Sequence, residues 1–161
     1  MIEQLFSMQG KVCLITGGSR GLGYAIAEAF FAAGAKRIYI TARKAEACEQ
    51  AAIELSKHGE CIALPGDISD MAEIERLATT LAQREKSIDV LVNNAGVGWI
   101  APMGEFPEKG WDKVMDLNVK TPFFLTQALL PLLKNSATHE ETTSVINIGS
   151  IAGIMARTDT F

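Results

Sequence analysis

The sequence predicts an α/β fold, a doubly wound parallel sheet with helices on both faces, built from 161 residues that read as one domain. Three observations predict it. Five short apolar runs, rich in β-branched residues, alternate with longer stretches whose apolar residues recur at helical spacing. Most of the connections are short, as strand–helix–strand units require. The chemically unusual residues also cluster just after the strands, where a doubly wound sheet holds its ligand.

Residues 11–16 open the pattern as a strand whose unbroken apolarity suits a sheet buried on both sides. A helix follows over residues 22–33, with Leu22, Ile26, Ala29, Phe30 and Ala33 on one face and Gly34 as its stop. Residues 37–42 form the second strand, and residues 45–58 a helix that ends before Gly59. Residues 61–65 are a short third strand. Ser69 is the expected cap of a third helix running to about Arg84, with Glu73 near the reciprocal position. Residues 88–93 make the fourth strand. A loop rich in Gly and Pro, 96–107, leads to one long helix over residues 108–134, which Pro122 should kink. Residues 144–148 are the fifth strand.

Composition excludes several classes. A net charge of −4 argues against a nucleic-acid surface or a polybasic membrane patch. No apolar run approaches the ~18–20 residues that span a bilayer. The start, Met1-Ile2-Glu3-Gln4, lacks the basic opening of a secretory signal, so a cytoplasmic protein is expected. Cys13, Cys48 and Cys61 show no CxxC spacing and fall inside regular elements, so buried, reduced thiols are expected. His58 and His139 are too isolated to suggest a metal site.

The chemistry begins after the first strand, at Thr16-Gly17-Gly18-Ser19-Arg20-Gly21-Leu22-Gly23. Glycines at 17, 21 and 23 permit a tight strand-to-helix turn and close backbone approach to a pyrophosphate. The helix that follows offers free N–H groups and the positive end of its dipole to that anion. Gly23, in the first turn, lets the helix pack close to the sheet. Three further motifs follow in order: Asn93-Asn94-Ala95-Gly96 after the fourth strand, Asn118 within Asp116-Leu117-Asn118-Val119, and Asn147-Ile148-Gly149-Ser150 at the end of the fifth.

With these four motifs the chain resembles the short-chain dehydrogenase/reductase family over essentially its whole length. The resemblance is fullest to bacterial 3-oxoacyl reductases, rhamnolipid-type and acyl-carrier-protein reductases among them. It implies a Rossmann fold with strand order 3-2-1-4-5 and an NADP(H)-dependent oxidoreductase acting on a small-molecule carbonyl or hydroxyl substrate, with an acyl compound as one option. It also implies a homodimer or homotetramer in the intact protein. The alternative is a catalytically inactive NADP(H)-binding or regulatory protein.

The resemblance also distributes roles. Gly17, Ser19, Arg20, Gly21, Leu22, Gly23, Arg43, Asp67, Ile68, Asn94, Ala95 and Gly96 are the expected cofactor residues. Asp67 would receive the adenine amino group, with the Ile68 backbone beside the ring; a plain turn or cap is its other reading. Asn93 is expected to tie neighbouring strands together, since a buried amide needs partners. Cofactor choice is read at the end of the second strand, where an acid would hold the ribose 2′-hydroxyl and repel a 2′-phosphate. This chain has Ala42, followed by Arg43 and Lys44, and Arg20 in the glycine loop can reach the same place. Two guanidiniums favour NADP(H), each charge-assisted contact contributing roughly 1.5–3 kcal/mol.

Ser150 and Asn118 are the expected catalytic residues. Ser150 would polarise the substrate oxygen. Asn118 would hold a proton-relaying water while serving as a structural amide. The apolar loop 97–103 either meets an acyl chain or covers the core. In the family a tyrosine roughly thirteen or fourteen residues past the serine is the general acid/base, assisted by a lysine one helical turn on. Both positions fall beyond Phe161, and Tyr24 and Tyr39 belong to the first helix and the second strand. The 161 residues alone are therefore expected to be incomplete at the C-terminal side and inactive. Val145, Ile146 and Ile148 at a sheet edge, with Val114, Leu117, Phe124, Leu125, Ala128, Leu129 and Leu132 on the long helix, predict self-association or only marginal stability.

Overall fold

The computed structural model describes residues 6–102, 104–138 and 142–153. Met1 to Gln4, Met103 and His139 lie outside them. Five parallel strands form one sheet in the order β3-β2-β1-β4-β5: β1 Val12–Thr16, β2 Arg37–Thr41, β3 Glu60–Ala63, β4 Val90–Asn93 and β5 Ser144–Asn147. The expected order is the observed one. Between the strands run α1 Gly21–Ala32, α2 Ala45–Leu55 and α3 Met71–Arg84. The stretch from β4 to β5 holds α4 Glu108–Met115 and α5 Thr121–Ser136, joined by a π-helical turn at Asp116–Lys120.

Alternation along the strands sends side chains into two separate cores. Cys13, Ile15, Ile38, Ile40, Val90 and Val92 pack with Ala27 and Phe31 of α1 and with Ala51, Ala52 and Leu55 of α2. Val12, Leu14, Tyr39 and Leu91 pack on the opposite face with Ile74, Leu77 and Leu81 of α3 and Leu125 and Leu129 of α5. Every residue of β1 is buried, which is why that strand reads as continuously apolar. Each fully buried Leu or Ile in these layers contributes roughly 1.5–3 kcal/mol, before cavity effects.

Four expectations need correction. The buried residues of α1 are Gly23, Ala27 and Phe31, with Phe31 packed onto Gly59; of the expected face Ile26 and Phe30 are partly buried against the same core, whereas Leu22 is 57% exposed. The cap of α3 is Asp70, whose carboxylate accepts from the Ala72 N–H at 2.9 Å. Ser69 is instead drawn into a turn by Asp67, which accepts from the Ser69 N–H and hydroxyl at 3.2 and 2.7 Å. The long helix is two helices, and the break falls just before Pro122. Proline has no N–H to return to the Asn118 carbonyl, and the ladder passes through an i→i−5 bond from Thr121 N–H to the Asp116 carbonyl. Finally, Leu117, Leu125, Leu129 and Leu132 of the supposed apolar excess are buried, and Phe124 and Ala128 pack against the same core. Along α4, the π turn and α5 the large apolar side chains left in solvent are Trp111, Val119, Phe123 and Leu130, and at the sheet edge Val145, Ile146 and Ile148 are also exposed.

Candidate cofactor-binding site

The carboxyl ends of the strands meet at a polar seam. Thr16 ends β1 buried, and its Oγ1 accepts from the N–H groups of Asn94 and Ala95 at 3.0 and 2.9 Å. Asn94 returns the tie, donating from Nδ2 to the carbonyls of Thr16 at 2.8 Å and Gly17 at 3.3 Å. The Thr41 carbonyl, at the end of β2, accepts from the N–H groups of Gly17 and Gly18 at 2.8 and 3.2 Å. Asn93 donates to Asn147 Oδ1 at 2.9 Å and so joins β4 to β5 as expected, while its own buried Oδ1 has no hydrogen-bond partner among the described residues.

Glycine is needed here for two distinct reasons. Gly17 and Gly21 lie at φ of +67° and +58°, the left-handed region that side chains disfavour. Gly23 has ordinary φ but no room: a Cβ would stand 2.5 Å from Asn94 Nδ2 and from the Gly17 carbonyl oxygen. Arg20 precedes α1 in extended conformation without a side-chain cap, so no protein side chain closes off the first N–H groups of the helix.

Above this seam opens a cleft of about 550 Å³, within the usual size range for a cofactor or small-molecule pocket. Gly17, Ser19, Arg20, Gly21, Arg43, Ile68, Asn94, Ala95 and Gly96 line it, together with Thr41, Ala42, Lys44, Ala47, Gly66 and Leu117. Leu22, Gly23 and Asp67 stand outside the wall. Leu22 points to solvent, Gly23 acts through its closeness to Asn94, and exposed Asp67 is engaged with Ser69. Asn118 is held on the backbone of Val97, accepting its N–H at 2.9 Å and donating to its carbonyl at 2.8 Å. Ser150 is exposed beyond β5, and its Oγ accepts from Ala152 N–H at 3.2 Å.

Sequence reasoning did not single out Thr16, Gly18, Thr41, Ala47 or Leu117. A signal existed for two of them: Thr16 and Thr41 are the polar residues that end β1 and β2. Only the structure shows that a Cβ at Gly18 would stand 2.6 Å from Ile40 Cγ2. Tyr39 is confirmed in β2: it is buried and donates to Glu85 at 2.7 Å, and burial followed by that carboxylate pushes its hydroxyl up to about 12. Among the described residues no group of three His, Cys, Asp or Glu side chains is gathered to hold a metal. No helix among them is long and apolar enough to cross a membrane.

The residues present fit a dinucleotide. The cradle under the glycine turn is one that added Cβ atoms would fill, the helix above it has no side-chain cap, and cationic residues stand at the cleft mouth. Comparison with known proteins agrees with this architecture. The chain is 50% identical over 151 residues to the rhamnolipids biosynthesis 3-oxoacyl-[acyl-carrier-protein] reductase of Pseudomonas aeruginosa, matching 94% of this chain and 59% of that protein. It is 33% identical over 150 residues to a 3-oxoacyl-[acyl-carrier-protein] reductase of Synechocystis, covering 92% of this chain and 59% of the relative. Among solved structures it superposes on the Pseudomonas aeruginosa RhlG/NADP active-site complex with a TM-score of 0.92 at 48% identity, over 96% of this chain and 60% of the other. A metagenomic short-chain oxidoreductase in complex with NADP matches with a TM-score of 0.82 at 34% identity, over 96% and 68% of the two chains. The chain thus spans about three-fifths of the length of these reductase relatives. Residues 11–160 match the short chain dehydrogenase family, and the chain belongs to that family.

Proposed function

We propose that this chain is the NADP(H)-binding domain of an oxidoreductase that reduces a carbonyl group, with 3-oxoacyl compounds as its substrate class. The observation that carries the reading is the make-up of the cleft. A glycine turn and an uncapped helix start stand at one part of its wall, and Arg20, Arg43 and Lys44 line it with Ala42 where an acid would select against a 2′-phosphate. Relatedness to two 3-oxoacyl reductases and likeness to two NADP complexes support the same choice.

Gly17, Gly21, Asn94 and Ala95 would border the pyrophosphate and the ribose beside it. Arg20 and Arg43 would meet the 2′-phosphate, and Asp67 with Ile68 the adenine. Bound NADPH supplies hydride. Ser150 Oγ already accepts one hydrogen bond, which leaves its own proton to donate to the substrate oxygen. Asn118 makes one bond at each end of its amide to Val97, which holds the loop after β4 in register with the π turn and leaves a second donor and a second acceptor position for a proton-relaying water. In that loop Val97 packs inward and Trp99 lies against Gly110 with Lys113 over its ring, whereas Ile100 is 77% exposed and free to meet an acyl chain. The exposed face of Val119, Phe123 and Leu130 supports a homodimer or homotetramer, and three buried free thiols suit the reducing cytosol.

Calorimetric titration tests the reading: NADPH should bind at least about tenfold more tightly than NADH, the worth of one charge-assisted contact. Equal affinities, or a preference for NADH, refute the cofactor assignment. Binding without carbonyl reduction, in a protein also carrying the family's tyrosine and lysine, would make it a nucleotide-sensing protein instead.

A further inference from the structure

The segment from Pro65 to Ile68 supplies Gly66 and Ile68 to the cleft wall, and it is held by side chains that do not themselves line the cleft. Arg76 of α3 donates from Nη2 to the Pro65 carbonyl at 2.6 Å. The same guanidinium grips Glu73 through Nε at 3.1 Å and Nη2 at 2.7 Å. This ion pair packs directly on Gly66, where a Cβ would collide with the Glu73 carboxylate and stand 2.7 Å from Arg76 Nη2. From the other side Thr121, 3% exposed at the start of α5, places Oγ1 2.7 Å from the Ile68 carbonyl and 2.9 Å from that of Asp116.

Neither tie is a local cap. Arg76 reaches back 11 residues and Thr121 reaches 53, and both arrive at carbonyls of the same short wall segment. A third bond, Gly66 N–H to the Ala42 carbonyl at 3.0 Å, fixes the segment against the residue before Arg43. A wall fixed before binding saves the ligand the cost of ordering it.

On the reading that the cleft holds NADP(H), we propose that Arg76 and Thr121 are positioning residues for its adenosine end. They hold the Pro65 and Ile68 carbonyls and thereby set Gly66 and Ile68 against the adenine. The pair acts on adenosine recognition and not on the choice between NADPH and NADH.

Thr121→Val keeps the side-chain shape and removes the hydroxyl, Thr121→Ser restores it, and Arg76→Gln alters a side chain that is 46% exposed and whose loss the fold tolerates best. Calorimetry with NADPH, NADH and 2′,5′-ADP, alongside thermal melting, reads the result. Thr121→Val and Arg76→Gln should each weaken all three ligands containing adenosine by about fivefold to tenfold, the worth of one hydrogen bond. NADPH and NADH should fall by the same factor, and Thr121→Ser should recover wild-type affinity. Unchanged affinities with a lowered melting temperature would make both residues merely structural and overturn the proposal while leaving the cofactor reading intact. A changed NADPH-to-NADH ratio would also overturn it. Failure of the wild-type chain to bind any of the three would remove the cofactor reading, and the proposal with it.

Discussion

Gly23 and Asn94 touch across the seam between α1 and β4, with no space for a methyl group between the glycine backbone and the Asn94 carboxamide. Asn94 Nδ2 is also the donor that holds the Thr16 and Gly17 carbonyls. Gly23→Ala should therefore displace Asn94 and disturb the glycine turn at once. We expect a loss of about 1–3 kcal/mol in stability from overpacking. NADPH affinity should fall at least about tenfold as the turn shifts. Urea unfolding and calorimetry check the two effects, and wild-type affinity would contradict the second.

Arg43→Ala tests cofactor choice at the cleft mouth. Loss of one charge-assisted contact of roughly 1.5–3 kcal/mol should weaken NADPH by about 10- to 100-fold. NADH should change little, which separates this residue from Arg76 and Thr121. Arg20→Ala should act in the same direction. An NADPH-to-NADH ratio unmoved by both substitutions would place the 2′-phosphate elsewhere.

Thr16→Val removes a buried hydroxyl that serves two backbone N–H groups. Leaving both donors unsatisfied should cost about 1–3 kcal/mol, and more if both remain dry. The denaturation midpoint should fall with an unchanged slope, showing lost stability with no change in the extent of unfolding.

The buried thiols make an alkaline prediction. Burial first, then the Asp89 charge, pushes Cys13 from 9.0 up to about 12; burial and then Cys48 does the same for Cys61. Unfolded thiols ionise above the ordinary value, while the folded ones keep their protons until about 12. The native state thus binds more protons, so stability falls as pH rises across that window. The urea midpoint should drop between about pH 9 and 12, and Cys13→Ala should lessen the slope. A flat profile would show that other groups compensate.

Ser150→Ala concerns turnover. In a protein carrying the family's tyrosine and lysine, carbonyl reduction should fall by about 10²- to 10³-fold, as for loss of one oxyanion donor. NADPH affinity should stay within about twofold, because the hydroxyl stands outside the cleft wall. Full turnover in the variant would assign Ser150 to the 3₁₀ turn at Ile151–Gly153 alone.

The five strands, the burial of the central ones on both sides and the place of the glycine turn were legible in the sequence, because each follows from properties local to the chain, whereas the strand order came from the family resemblance. Five β-branched runs announce five strands, and their observed order is the one the resemblance implies. Gly17 and Gly21 are required by backbone angles of their own residues. Arg20, Arg43 and Asn94 reach the cleft because they directly follow strands or precede a helix, positions that the pattern marks.

Tertiary packing decided the rest. Phe31, not Leu22, is the buried large residue of α1, because Gly59, on another loop, leaves room for its ring, while Ile26 and Phe30 pack partly buried beside it. Ser69, the cap expected from the sequence, is engaged in a turn by Asp67, and Asp70 caps α3 in its place. Thr121 reads as an ordinary helix residue, and only the seating of α5 on the sheet brings its hydroxyl to the Ile68 carbonyl. Periodicity and backbone sterics act over a few residues and are written in sequence order. Pairings such as Thr16 with Asn94, 78 positions apart, exist only after the sheet has closed and the buried polar groups have found partners.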